Sequence, residues 1–115
     1  MNLIIGSHVS YNNKSQLLGS VKEALSYKAN TFMFYTGAPQ NTNRSVIEDS
    51  LTMEAYKLMK ENNIALEKVI VHAPYIVNLA NFNNFDFSVS FLINEVERCS
   101  TLGIKYLVLH PGSAV

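Results

Sequence analysis

The sequence has few of the features that mark a secreted or membrane protein. It contains one cysteine, Cys99, so no disulfide can form within the chain, which fits a reducing compartment. The first residues lack the basic segment of a signal peptide, and polar residues interrupt the apolar run by Ser7. No apolar run approaches the ~18 residues that a membrane-spanning helix needs. We therefore expect a soluble, cytoplasmic protein without a membrane partner, in which Cys99 is buried on a helix.

The chain also lacks an excess of charge of either sign. Nine Lys and Arg residues balance nine Asp and Glu residues, and the formal net charge is zero. A basic field over the whole surface, which would hold nucleic acid by charge alone, is therefore absent. Any nucleic-acid partner has to be held by local features. Hydrophobic residues make up 48% of the 115, which is ample material for a core.

Hydrophobic periodicity divides the chain into alternating strands and helices. Short β-branched or aromatic runs predict four strands. The first begins at Leu3, and the other three cover Thr31–Thr36, Val69–His72 and Tyr106–Leu109. Apolar residues at helical spacing predict three helices between them, over roughly 15–28, 48–62 and 87–102. The resulting βαβαβαβ order requires parallel strands joined by right-handed crossovers.

Caps and helix faces follow from the same pattern. We expect Ser15 or Asn13 to cap the first helix, Asp86 to cap the third, and Gly103 to end the third. The third helix is expected to turn its apolar stripe inward, namely Val89, Leu92, Ile93 and Val96. The helical acidic residues are expected on solvated faces, namely Asp49, Glu54, Glu61, Glu95 and Glu97.

The loops differ in length between the two ends of the strands. The connections that leave the second and third strands, over 36–48 and 73–87, are long, polar and rich in Asn, Gly and Pro. Ligands of α/β folds bind at the carboxyl ends of the strands, so these loops mark the functional side. An open four-stranded sheet fits the pattern, but strands in sequential order fit a (β/α)8 TIM barrel better. Such a barrel takes about 250 residues, so we interpret residues 1–115 as a single partial domain, the N-terminal half of a barrel.

All three histidines follow predicted strands. His72 and His110, about 38 residues apart, share an unusual context, because each ends an aliphatic run and has a proline within two residues. Neighbouring parallel strands are about 4.8 Å apart, so two such imidazoles can share one metal ion. The alternative, a hydrogen-bonded structural histidine, stays open for each of them. His8 has no following proline. The sequence is therefore as consistent with a contact from His8 to a metal ligand or to substrate as with direct metal ligation by His8.

Carboxylates are missing from the strand ends. Metal-assisted hydrolysis of phosphate esters needs carboxylates that bridge and neutralise paired metals, and no acidic residue of this chain ends a strand. A complete metal cluster would need carboxylates from further sequence.

The loop residues offer local features for nucleic acid. Tyr75 and Ile76 form an aromatic-aliphatic pair that could insert between bases, or else pack on nearby phenylalanines. Gln40 could contact base edges or phosphates, although it is also an ordinary turn residue. Arg44 is the one arginine near this side.

Four segments together resemble the bacterial endonuclease IV family of apurinic/apyrimidinic endonucleases. They are Ile5–Ser10, Tyr35–Thr42, His72–Tyr75 and His110–Gly112, and the resemblance runs in order over all 115 residues but less than half of a family member. It implies a (β/α)8 barrel with three Zn²⁺ ions, which hydrolyses the phosphodiester 5′ to abasic sites in duplex DNA. The products are a 3′-hydroxyl and a 5′-deoxyribose phosphate.

The resemblance also implies roles for single residues. His72 and His110 match the two histidine ligands of the first zinc. Gln40, Tyr75 and Ile76 match loop positions that penetrate the DNA at the abasic nucleotide, and Gln40 stands where some members carry arginine. The remaining metal ligands have no counterpart here, so no catalytic residue beyond the metal ligands is expected in this chain.

These matches predict a repair-enzyme fold in a chain that is inactive alone. We expect poor zinc retention, negligible cleavage and dimerisation that covers exposed edges, whereas family members are usually monomers. Two other interpretations stay open. One is a metal-dependent sugar isomerase or epimerase barrel, and the other is a non-catalytic half-barrel module.

Overall fold

Four parallel strands and three α-helices alternate along the chain. The structure is a computed structural model and describes residues 3–40, 42–74, 77–81, 83 and 85–110. The elements are β1 (Gly6–His8), α1 (Gln16–Ser26), β2 (Thr31–Phe34), α2 (Asp49–Glu61), β3 (Ile70–His72), α3 (Phe85–Leu102) and β4 (Tyr106–Val108), with a 3₁₀ turn over Leu66–Lys68 before β3. The order of these elements agrees with the prediction. None of the described helices is long and apolar enough to cross a membrane.

The sheet has the sequential order β1-β2-β3-β4, and each neighbouring pair is parallel. One face of the sheet carries Phe32, Phe34, Val69 and Val71, which are almost fully buried. The same hydrophobic core includes residues from all three helices, for example Leu17, Met59 and Leu102. An open doubly wound sheet would place helices on both faces. Helices on a single face and strands in sequence order instead form part of a barrel wall, as the sequence predicted.

The opposite face of the sheet is uncovered among the described residues. Tyr106 and Val108 of β4 lie on it and are exposed, and Met33 and Ile70 are only partly buried. In a closed barrel this face would line the interior.

The first strand begins three residues later than predicted. Ahead of Gly6, the backbone bonds a side chain instead of a neighbouring strand. The Asn30 amide accepts from the Ile5 N–H at 2.7 Å and donates to the Leu3 carbonyl at 2.8 Å. The Ile5 carbonyl also accepts from the backbone N–H of Asn30 at 3.0 Å. The apolar residues at 3–5 are exposed.

Neither residue predicted to cap α1 does so. Ser15 has helical backbone angles and makes no side-chain cap bond. Instead Asn12 Oδ1 accepts from the N–H groups of Lys14 and Ser15, at 2.9 and 2.8 Å. This is an asparagine turn that leads into the helix.

The predicted inner face of α3 is wrong. Ile93 and Val96 are 54% and 51% exposed, whereas Glu95 of the supposedly solvated set is 0% exposed. The buried side of α3 is made of Ser88, Phe91, Glu95, Arg98, Cys99 and Leu102. The helix also starts at Phe85, so Asp86 lies in its first turn and is not the cap. Glu95 and Arg98 face inward because each of them bonds to residues of the loop after β2, as described below.

The end of α3 and its cysteine agree with the sequence. Gly103 has φ +76°, the left-handed conformation that ends helices at glycine. Cys99 is buried on α3, and burial raises the pKa of its thiol to about 11.

Candidate functional site

The sheet register places four rings on one face. His8 is paired with Met33, so Tyr35 lies two residues further along β2 on the same side. The register Phe34↔Val71 then sets Tyr35 opposite His72, which is itself paired with Val108. His110 lies two residues beyond Val108. Because side chains alternate between the two faces of a strand, all four rings point away from the helices, at the carboxyl ends of the strands.

Ring distances confirm this continuous row. The ring centroids of His8 and Tyr35 are 4.8 Å apart, those of Tyr35 and His72 are 5.2 Å apart, and those of His72 and His110 are 5.0 Å apart. Tyr35, which the sequence argument did not select, therefore separates His8 from the other two histidines. It meets each neighbouring imidazole edge to face, at 61° and 65°.

His72 and His110 are adjacent, as the prediction of a shared metal ion requires. Two imidazoles on one tetrahedral zinc, with Zn–N near 2.0–2.1 Å, have centroids roughly 5 Å apart. His72 Nδ1 lies 2.6 Å from the Ala73 carbonyl oxygen, which can only accept a hydrogen bond. Nδ1 therefore carries the proton, and the lone pair of Nε2 is left for a ligand. The donor set fits zinc, and metal binding itself stays a prediction.

The described residues do not complete a metal centre. Across the described ranges, no group of three or more His, Cys, Asp or Glu side chains is placed to hold one ion.

The surroundings of His8 favour the neutral form of its imidazole. Burial lowers the pKa of His8, the electrostatic influence of nearby His72 lowers it further, and Glu23 raises it. A neutral imidazole at pH 7 can accept as well as donate a hydrogen bond. This suits a residue that contacts substrate or orients other groups.

A cavity of about 530 Å³ opens beside His8. It lies between the loops that follow β1 and β2, and its walls include Tyr11, Tyr35, Asn12 and Pro39. Aromatic faces and amide groups together can hold a small polar ligand such as a base or a sugar.

The residues predicted to contact DNA divide into two groups. Gln40 is exposed in the loop after β2, where it can reach a partner. Tyr75 and Ile76 lie outside the described residues, as do Pro111 and Gly112.

The guanidinium of Arg44 is buried and not exposed to solvent, contrary to the expectation for an arginine near the carboxyl ends of the strands. Its side chain is 5% exposed, and Nε donates to Glu95 Oε1 at 2.7 Å. The guanidinium also lies over the ring of Phe91, 4.9 Å from its centroid. Arg44 therefore holds its own loop in place.

Three residues that the sequence argument missed complete this buried group. Thr36 Oγ1 donates to Glu95 Oε2 at 2.7 Å, and Arg98 Nε donates to Thr36 Oγ1 at 3.0 Å. Arg98 also donates to the backbone carbonyls of Thr36 and Ser45, at 2.8 and 2.6 Å. A signal was present in the sequence. Glu95 and Arg98 fall at helical spacing with Phe91 and Leu102, which is the side that the fold buries.

Comparison with known proteins decides the family. The family described as "Xylose isomerase-like TIM barrel" matches residues 21–115. The chain belongs to this family. Membership agrees with the parallel sheet, the single helical layer and the site at the strand ends.

Relatives within the xylose isomerase-like TIM barrel family carry a nuclease name. The chain is 51% identical to "Probable endonuclease 4" of Mesoplasma florum over 96% of this chain and 40% of that protein. It is 56% identical to the protein of that name from Acholeplasma laidlawii, and the match covers 98% of this chain and 39% of that protein. The chain thus spans about two fifths of the length of these relatives, and the resemblance to the endonuclease IV family is confirmed.

A solved structure supports the same assignment. The crystal structure of endonuclease IV from Thermus thermophilus superposes with a TM-score of 0.79 at 26% identity. The match covers 96% of this chain and 42% of that one. The partial barrel inferred from the sequence is therefore confirmed at the level of the fold.

Proposed function

We propose that this chain provides one side of a zinc-dependent DNA repair site. The reaction is hydrolysis of the phosphodiester 5′ to an abasic site in duplex DNA, which leaves a 3′-hydroxyl and a 5′-deoxyribose phosphate. The observation that carries the proposal is the pair His72 and His110, whose rings lie 5.0 Å apart on neighbouring strand ends. The endonuclease name of the relatives supports the reaction class.

In this proposal His72 and His110 hold one zinc ion. When bound, zinc supplies Lewis-acid stabilisation of charge on a phosphate oxygen. The Ala73 carbonyl fixes the tautomer of His72, so that the lone pair of Nε2 would be available to hold the ion. Tyr35 packs against the imidazoles of His72 and His8 and restricts their rotation. His8 then acts by contact with substrate or with the neighbouring groups.

The loops hold the DNA in this proposal. Gln40, Tyr75 and Ile76 contact the duplex at the abasic nucleotide, and the exposure of Gln40 supports its part. Because the formal net charge is zero, recognition depends on these local contacts more than on a basic surface.

For the chain by itself we expect binding without efficient chemistry. Two histidines and no carboxylate retain zinc weakly, since affinity rises with ligand number. Tyr106 and Val108 on the uncovered face of the sheet are exposed apolar residues, as are Ile93 and Val96 on the helical side, and such residues favour self-association. We place the protein in the cytoplasm, with its DNA substrate.

Zinc and DNA titrations test the proposal. We expect the wild-type chain to bind Zn²⁺, His72→Ala and His110→Ala to lose most of that affinity, and His8→Gln to keep it. We also expect tighter binding to a short duplex that carries one tetrahydrofuran abasic-site analogue than to the intact duplex. Equal affinity for the two duplexes, or zinc binding that survives both alanine variants, would refute it.

A sugar isomerase or epimerase remains the second candidate, because the family description itself names xylose isomerase. This candidate predicts that the cavity beside His8 binds free sugars and that the chain does not distinguish the two duplexes. A non-catalytic module predicts a stable oligomer that binds neither zinc nor DNA. Size-exclusion chromatography with metal analysis separates the last case.

A further inference from the structure

A buried group of charged side chains joins α3 to the loop after β2. It consists of Thr36, Arg44, Glu95 and Arg98, and we call it the loop clamp. Glu95 is 0% exposed and accepts from both Thr36 and Arg44 at 2.7 Å. Burying a carboxylate is costly, hydrogen-bonded partners offset that cost, and removing one of the partners is strongly destabilising.

The clamp is attached to the loop at several points. Arg98 donates to the carbonyls of Thr36 and Ser45, at opposite ends of the loop. Arg44 donates through Nη1 to the carbonyls of Ala38 and Asn43, at 3.2 and 2.8 Å. These bonds bracket Gln40, the exposed residue of the proposed DNA contact. The loop conformation is therefore set by side chains that themselves have no access to DNA.

The guanidinium of Arg44 packs closely against the start of the loop. A Cβ atom on Gly37 would lie 2.6 Å from Arg44 Nη1, so a larger residue there would displace the Arg44 side chain. Phe91 covers the other side of the same guanidinium.

From these contacts we propose that Glu95 is a positioning residue for DNA recognition: through Arg44 and Thr36 it holds residues 36–40 and 42–45 in the conformation that presents Gln40 to the duplex. The DNA part of this inference rests on the proposed function. Glu95 does not touch substrate. It acts from α3, on the side of the sheet away from the row of rings.

Limited proteolysis tests whether Glu95 holds the loop. Trypsin cleaves after arginine, and Arg44 is itself in the loop, so release of its side chain exposes the Arg44–Ser45 bond. We expect Glu95→Gln to accelerate that cleavage about tenfold relative to cleavage at Lys57–Leu58 within α2. Glu97→Gln is the matched control, because Glu97 is exposed on the same helix. Thr36→Val, which keeps every charge, should give a smaller acceleration.

Duplex binding at fixed salt tests the consequence for recognition. The clamp holds two guanidinium groups and one carboxylate, so Glu95→Gln makes this region more positive. An effect of charge alone would tighten DNA binding, whereas loss of position weakens it. We expect the affinity of Glu95→Gln for the tetrahydrofuran duplex to fall about fivefold or more, with zinc affinity unchanged and Glu97→Gln like wild type.

The outcomes separate this inference from the proposed function. If Glu95→Gln leaves Arg44 protected, accelerates all tryptic cleavages equally, or tightens duplex binding, the positioning role is overturned. If wild type does not prefer the abasic duplex while Glu95→Gln still releases Arg44, the proposed function fails and the loop-holding role stands.

Discussion

Replacing Arg98 by methionine should destabilise the chain by an amount that the structure allows us to work out. Arg98 is 8% exposed and donates three hydrogen bonds, at 2.6, 2.8 and 3.0 Å. Methionine fills similar volume, so the cavity is small, but the carbonyls of Thr36 and Ser45 lose these donors. A buried polar group without its partner costs about 1–3 kcal/mol.

Two such carbonyls give roughly 2–6 kcal/mol, and relief from burying a cation offsets part of this. Burial disfavours the charged guanidinium of Arg98 and lowers its pKa. We therefore expect a loss of about 3 kcal/mol. Lys105→Met, at an exposed position, is the control and should change the free energy of unfolding by less than about 0.5 kcal/mol.

Urea denaturation followed by circular dichroism measures the effect. With an m-value of about 1–3 kcal/mol/M, the midpoint should fall by roughly 1–3 M. If the midpoint of Arg98→Met coincides with that of Lys105→Met, the bonds to the loop contribute nothing net, and the reasoning behind the clamp is wrong.

Two further predictions concern titration and reactivity. The pKa of His8 is lower in the folded chain than its ordinary value of 6.5. The neutral imidazole therefore stabilises the fold above pH 6.5, and this stabilisation is lost as the pH falls through the folded-state pKa. In NMR titrations of the His8 ring, we expect a wild-type midpoint below 6.5. The midpoint should rise partway toward 6.5 in His72→Ala and fall further in Glu23→Gln. A wild-type midpoint at or above 6.5 would contradict the assigned causes. Cys99, with its pKa raised to about 11 by burial, should react with a thiol reagent at pH 8 about a hundredfold more slowly in the folded chain than in urea, and equal rates would show that the thiol is accessible.

The strand arrangement could be predicted because each signal was local. The aliphatic run before His72 and the one before His110 are short and bounded by turn residues, and parallel strands in sequence order have one simple arrangement. The proximity of these two imidazoles followed directly. The appearance of Tyr35 between His8 and His72 did not, because it depends on register, which the sequence does not state.

The inner side of α3 could not be predicted from hydrophobicity. Two stripes compete on this helix, one apolar with Ile93 and Val96 and one mixed with Glu95 and Arg98. Burial of the mixed stripe is favourable only because Arg44 and Thr36, more than 50 residues away in sequence, complete its hydrogen bonds. Local periodicity shows the mixed stripe, but it does not show the distant partners that make its burial favourable.

The register of the ring row sets which insertions and deletions the chain can accept. Deleting one residue within β3 would turn His72 to the helix-covered face, since neighbouring side chains point to opposite sides. Deleting two would keep the face but displace the imidazole by roughly 6.6 Å along the strand, out of reach of His110. Length variation among homologues should therefore fall in the loops and helices, while the distance in residues from the start of each strand to its ring stays constant.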